Sequence, residues 1–485
     1  MNYVIRGYKP EKLFNYFEDI SAIPRGSGNE KAIADFLVTF AENRDLFCIR
    51  DEHNNVFIRK NASVGYEDLP AIMLQGHTDM VCEKNEGTLH DFDKDGLDLY
   101  VENGWLKARG TTLGGDDGVA VAIMMAILDD NTLQHPTIEC LFTTGEETGL
   151  YGATGFDYSV VSAKKLINLD SEEEGVCTVS CAGGLELDFI LNPTRQAIPT
   201  FCRPISIEIT GLCGGHSGAD IVLERGNANV IMFRLLSALY EKHPFNIVTV
   251  SGGSRGNAIP REAKAVIFTD EVDDAIEYLT LLSKEVRLLL PREDKNLRFK
   301  IGKAKGSFEN MLSYVDTVKL LSLVSFMPNG VIARMKDIPE MVETSNNLGV
   351  VRDTQDNGIQ FIYHPRSSFD SRMDEIETMA RLVAKNLSLE LKISGRYSGW
   401  PMKSDSVLAQ EFLAASKKVL GDKCEPMIMA IHAGLECGII CAAVPGMDAI
   451  SIGPELKGIH APGEALELGS MERLYKIVCE LIKQK

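Results

Sequence analysis

From about residue 71, apolar runs and polar breaks alternate along the chain. "AIMLQ" has the length and apolar pattern of a strand, a loop follows to about 117, and "GVAVAIMMAILDD" then has helix length. The runs "TIECLFTT" and "KLINLD" read as two more strands. Strands separated by a helix of this kind predict an α/β layer structure.

The texture changes between about 185 and 395. Strands "ISIEIT", "FNIVTV" and "AKAVIFT" alternate with amphipathic helices predicted near 226–241, 272–290, 313–326 and 372–387. That is an α+β rhythm. After 396 the α/β pattern returns with the helix "SVLAQEFLAASKKVL", the strand-like "PMIMAI" and "DAISIG", and a C-terminal helix from about 470. The expected fold is therefore two-domain α/β. Residues 1–184 with 396–485 form one domain, and 185–395 form an inserted α+β domain. A chain of 485 residues exceeds what one ordinary core holds, which agrees with this division.

Composition narrows the function classes. The chain is 45% hydrophobic and 25% charged, as an average soluble protein is. Sixty-nine acidic against 50 basic residues give a charge of −19, which repels nucleic acid and anionic membranes. The start lacks the apolar core of a signal peptide, and no run approaches the roughly 18 apolar residues of a membrane helix. A cytoplasmic protein with neither nucleic-acid nor membrane partners is expected. The 11 cysteines are odd in number and sit in apolar runs, so they read as reduced. Cys177/Cys181 and Cys437/Cys441 share a C-x3-C spacing that helical core positions explain as well as a thiolate zinc site does.

The chemistry gathers where strands end. "LQGHTDMV" runs from an apolar strand into His77 and Asp79, at the end where open α/β sheets bind ligands. "GTTLGGDDGVAVA" sets Asp116 and Asp117 in a glycine-rich bend before a helix, where carboxylates also serve as caps. A phosphate cradle is excluded there, because no Lys-Ser/Thr follows and two acids repel phosphate. "LFTTGEETG" delivers Glu146 and Glu147, "LINLD" delivers Asp170, and "SIGPELKGIHAPGE" supplies His460.

Two imidazoles, several carboxylates and no thiolate suit a borderline divalent cation such as Zn²⁺, with Co²⁺ or Mn²⁺ also suited. That many acids can hold two cations bridged by a carboxylate. Such a pair activates a water and polarises a carbonyl. A carboxylate outside the coordination sphere then takes the water's proton and returns it to a leaving amine. Of two neighbouring glutamates, one can be ligand and the other base.

The motifs "GHTD", "GGDDG", "TGEETG", "LINLD" and "GIHAPGE", in this order, resemble the metallopeptidase family M20. The long chain is most similar to its Xaa-His dipeptidase branch, and the resemblance covers nearly the whole chain. It implies that His77 and Asp170 bind one metal, Glu147 and His460 the other, and that Asp116 bridges them. It further implies that Asp79 orients His77 and that Glu146 is the general base. The segment 185–395 resembles the family's lid, which in many members dimerises. There His216 of "GLCGGHSG" matches the histidine that steadies the oxyanion, while Asn257 and Arg366 match substrate-binding residues. "AIHAGLECG" resembles the loop, near Gly434, that meets the substrate's C-terminal end, with His432 and Glu436 as further candidates. Asp116-Asp117-Gly118 departs from the family's usual Asp-Lys-Gly or Asp-Asn-Gly.

The implied activity is hydrolysis of dipeptides, with aminoacylase, carboxypeptidase or tripeptidase chemistry as alternatives within the family. Two readings lie outside it. "GGSRG" fits G-x-S-x-G with Ser254 as nucleophile, but a proline turn and another strand follow where an elbow needs a helix. A catalytically silent binding protein would not need the intact ligand set and Glu146.

Overall fold

A computed structural model describes residues 3–421 and 425–483. They divide into two compact units. One comprises Met1–Cys181, Trp400–Ala430 and Leu435–Lys485, and the other comprises Ala182–Gly399 with Ile431–Gly434. The sequence placed the junctions near 185 and 395. It also assigned 431–434 to the first domain, whereas their contacts lie with the second; four residues are too few to shift a hydrophobic pattern.

Unit 1 is built on an eight-stranded sheet. Its centre runs Ile138–Thr143, Ile72–His77, Lys165–Asn168 and Asp448–Ser451, all parallel. Parallel neighbours end on the same edge, so the segments after Gln75, Thr143, Asn168 and Ser451 emerge side by side. These strands read as continuous apolar runs because both faces are covered. On one face lies the helix Gly115–Asp129, almost wholly buried, with Glu11–Ser21 and Leu468–Ile482 in the same core. The other face carries a smaller core that includes Leu435, Cys437 and Ile440.

Unit 2 is an 11-stranded sheet whose strand pairs are antiparallel. The alternating burial of Gly183–Leu191 shows one face turned to a core. The helices Ala228–Tyr240, Val272–Leu289, Tyr314–Phe326 and Asp370–Leu387 fill that core, within a few residues of the positions their amphipathic spacing predicts. Among the described residues no helix is long and apolar enough to cross a membrane. The described cysteines are all free thiols, and burial pushes those of Cys177, Cys181, Cys437 and Cys441 up. Thiols held protonated in a core make poor zinc ligands, so the C-x3-C pairs are core positions.

Candidate active site

The parallel strand ends of unit 1 bring His77, Asp116, Glu146, Glu147, Asp170 and His460 together. His77 is the last residue of its strand and is 1% exposed. Its Nδ1 lies 3.1 Å from the carbonyl oxygen of Asp79, which suits a protonated Nδ1 and leaves Nε2 as an acceptor. Asp116 precedes the helical part of Gly115–Asp129, and its backbone is not helical. Its Oδ1 lies 2.9 Å from His77 Nε2 and its Oδ2 lies 3.0 Å from His460 Nε2. One carboxylate therefore addresses both imidazoles. Asp170 Oδ1 is 3.5 Å from His77 Nε2, and Glu147 Oε1 is 2.9 Å from His460 Nε2.

These atoms fit a pair of cations. Three sets of donor atoms each lie within 4.8 Å of one another: His77 with Asp116 and Asp170, Asp116 with Glu147 and His460, and His77 with Glu146 and Glu147. Two bonds of about 2 Å at near-tetrahedral angles leave ligand atoms roughly 3 Å apart, the spacing seen here. Glu147 Oε1 is buried and, despite its closeness to His460, has no partner in hydrogen-bonding geometry. Asp79, Asp116, Asp117, Glu146, Glu147 and Asp170 crowd around two imidazoles. Burial works against protonation of His77, but the carboxylates outweigh it and raise its pKa well above the usual value. The carboxylates of Asp116 and Glu147 beside it raise His460 to about 10. Both rings are thus drawn toward positive charge, which a divalent cation supplies more fully.

Asp79 makes more use of its carboxylate than the sequence suggests. Oδ1 accepts the N–H of Glu146 at 3.1 Å, and Oδ2 accepts the N–H of Glu147 at 3.3 Å and the hydroxyl of Ser27 at 2.8 Å. The carboxylate also lies 3.5 Å from His77 Nδ1. It therefore fixes the Glu146–Glu147 turn as well as standing beside the ring. Burial opposes ionisation of Asp79, yet His77, Ser27 and the Glu146 amide hold its pKa below the usual value. Glu146 is the reverse case: burial, with Asp170, Glu436 and Glu147 nearby, raises its pKa well above the ordinary value against the pull of His77.

Two supporting residues, Arg25 and Glu464, escaped the sequence reading. Arg25, 2% exposed, donates to the carbonyls of Thr78, Asp79 and Gly114, tying one strand end to the Asp116 bend. Gly114 has φ +65, and a Cβ there would meet Arg25 Nη2 at 2.5 Å, so glycine is required on two counts. Glu464 accepts the N–H groups of Leu113 (2.7 Å), Gly114 (3.0 Å), Gly115 (2.8 Å) and Asp116 (3.4 Å), placing an anion at a helix N-terminus. It lies four residues after His460 and clamps that loop to the bend. Asp117, read as a cap or departure from the family, accepts the N–H of His77 at 3.2 Å and of Ala120 at 3.3 Å.

Unit 2 holds the remaining candidates apart from Glu436. His216 and Asn257 sit on paired segments, with Ser217 N–H donating to Asn257 O at 2.8 Å. His216 Nδ1 accepts the N–H groups of Gly218 (3.3 Å) and Ala219 (3.1 Å), which places the ring proton on Nε2. Arg366 is buried; its Nη1 donates to the Tyr397 hydroxyl at 2.9 Å, and its Nε is unpartnered. A Cβ on Gly434 would come within 3.0 Å of the Tyr397 ring, so no larger residue fits without displacing it. His432 is buried beside Ser345, its Nε2 2.8 Å from Oγ, and Glu436 belongs to unit 1, fully buried. Ser254 is exposed in the loop after Asn246–Gly252, with no helix following it as a nucleophile elbow needs.

Burial first, and then the Arg366 charge, lower both His364 and His432 to about 3. Each gains a proton on unfolding whenever the pH lies between about 3 and the ordinary 6.5. The unfolded state then binds more protons, so their contribution to stability is full above pH 6.5 and falls as the pH drops. Denaturant titrations at pH 7, 6 and 5 are expected to show a His364→Leu variant losing less stability with acid than wild type, by up to about 1.4 kcal/mol per pH unit. Equal slopes would contradict the assigned neutral His364.

Comparison with known proteins follows the same lines. The family model of peptidase family M20/M25/M40 matches residues 73–484. The cytosol non-specific dipeptidase of Escherichia coli is 35% identical over 478 residues, covering 98% of each chain. The crystal structure of aminoacylhistidine dipeptidase from Vibrio alginolyticus superposes with a TM-score of 0.92 at 33% identity, covering 98% of this chain and 97% of that one. An aminopeptidase from Bacillus cereus shares the fold at a TM-score of 0.57 and 15% identity.

Proposed function

Because the chain belongs to peptidase family M20/M25/M40, we propose that it is a metal-dependent dipeptidase that hydrolyses Xaa-His and other dipeptides. The observation that carries this reading is Asp116, whose two carboxylate oxygens face two different imidazoles in a pocket of excess negative charge. Membership implies use of divalent cations, and we assign Zn²⁺ as the occupant, with Co²⁺ or Mn²⁺ as substitutes of similar preference. His77 and Asp170 would hold one cation, Glu147 and His460 the other, and Asp116 both. When bound, the pair activates water and polarises the scissile carbonyl.

This chain's own residues do the rest. Glu146, pinned through its N–H to Asp79, takes a proton from the attacking water and delivers it to the departing amine nitrogen. Asp79 keeps the turn and the His77 ring in place. In unit 2 we assign the oxyanion contact to His216 and substrate binding to Asn257, Gly434 and Arg366. Arg366 has a donor to spare for a peptide carboxylate, because its Nε has no partner. Loss of a hydrogen bond to a charged group costs about 1.5–3 kcal/mol, so Arg366→Ala is expected to raise KM roughly 10- to 100-fold with a smaller change in kcat. An unchanged KM would remove Arg366 from the substrate site.

We place the protein in the cytoplasm and propose a homodimer formed through unit 2, which sedimentation of the purified protein tests. Substrate class is tested by a panel of β-alanyl-histidine, other dipeptides, a tripeptide and an N-acetyl amino acid. Cleavage of the dipeptides is expected. Cleavage of the acetylated compound alone, or of the tripeptide alone, would replace the dipeptidase reading with another activity of the family.

A further inference from the structure

Behind the site lies a second layer of buried polar side chains. Gln75 stands two residues before His77, Asn168 two before Asp170, and Thr143 three before Glu146. All three are 0% exposed. Gln75 and Asn168 are register partners on adjacent parallel strands, as are His77 and Thr143. Asn168 Nδ2 donates to Gln75 Oε1 at 2.7 Å, and Gln75 Nε2 donates to Thr143 Oγ1 at 3.1 Å. Both Gln75 Nε2 and Thr143 Oγ1, the latter at 2.6 Å, then donate to one oxygen of Glu436. Glu436 opens the helix Glu436–Ala443 and is itself 0% exposed.

We propose that Glu436 is a positioning residue of the cation site, acting through Gln75, Thr143 and Asn168 on the His77–Asp170 side of the pair. The proposal rests on the assignment of the cation ligands given above. Buried polar side chains on parallel strands cost stability unless they are bonded; here the bonds run crosswise between the strands that deliver ligands, and only Asn168 Oδ1 and Glu436 Oε1 of the network have no partner. Strand ends joined in this way hold their next residues to a fixed separation, which a cation with short bonds requires. The Glu147–His460 side is held by other means. Glu147 hangs from Asp79, and His460 lies in a loop, 44% exposed at its side chain, clamped through Glu464. Removing the Glu436 acceptor should therefore loosen one cation position and spare the other. A purely structural role for Glu436 would instead lower the melting temperature and leave cation affinity alone.

The test compares wild type, Glu436→Leu and Glu436→Gln in the full chain, using Zn²⁺ as probe in chelator competition. The same measurement in a His460→Ala background isolates the His77–Asp170 position. Glu436→Leu is expected to weaken that position about 10- to 100-fold, the range for outer-layer partners of metal ligands, and to lower kcat with KM unchanged. Glu436→Gln, whose amide oxygen accepts the same two bonds, should restore affinity to within a few-fold. Should Glu436→Leu fail to fold, Thr143→Val removes one donor to Glu436 at nearly constant shape and should weaken the same position in the same direction. Wild-type affinity at that position in the tested variant, or Glu436→Gln as damaged as Glu436→Leu, would overturn the proposal. Failure of wild type to bind two cations would instead refute the underlying site assignment.

Discussion

Substituting Glu146→Ala is expected to lower kcat by about 10²- to 10⁴-fold, the range for loss of a general acid–base group, while the protein still takes up its cations. The expectation follows from the division between the adjacent glutamates. Glu147 lies 2.9 Å from His460 and completes a donor set with Asp116, whereas the N–H of Glu146 is held by Asp79 at the end of the same turn. Glu146 also belongs to a second possible donor set with His77 and Glu147, so its geometry alone allows a ligand role. Cation content measured beside steady-state rates separates the two. A variant that loses turnover and keeps two cations is a base deletion; one that loses a cation would make Glu146 a ligand, and one that keeps full turnover would remove it from the chemistry.

Asp116→Ala should be the more damaging change to cation binding. Its oxygens face His77 and His460 separately, so one substitution withdraws a ligand from both positions. Loss of an outer-layer partner typically costs 10- to 100-fold in metal affinity, and loss of a bridging ligand should exceed about 100-fold at both positions. Glu147→Ala withdraws a ligand from one position only and should leave the other filled. Chelator competition on the two variants checks this. If Asp116→Ala weakened one position and left the other at wild-type affinity, the carboxylate would not be a bridge.

The residues at the strand ends were legible because they sit next to apolar runs. "LQGHTD", "FTTGEETG" and "LINLD" each announce a strand and then its chemistry within a few positions, so a parallel sheet brings their ends together. The amphipathic helices of unit 2 were legible for a similar reason, since their burial repeats with the helical period. Arg25 and Glu464 were not, and Glu436 was named only through the family resemblance, in a loop that meets substrate, not as the partner of Gln75 and Thr143. Each acts through hydrogen bonds to groups far away in sequence, and Arg25 and Glu464 bond to backbone, whose polarity is the same at every residue. No period or spacing marks such a partner. Gln75 and Asn168 look like flaws in apolar strands until their register shows them facing each other. The transfer of 431–434 to the second unit was hidden because helix and strand patterns need longer windows than four residues.

The most direct test of the account is a crystal structure of the zinc-loaded protein with anomalous diffraction collected at the zinc edge. The account predicts two anomalous peaks roughly 3.5–4 Å apart, with Asp116 between them, His77 and Asp170 on one, Glu147 and His460 on the other, and Glu146 coordinating neither. A single peak, or two peaks with Glu146 among the ligands, would contradict it.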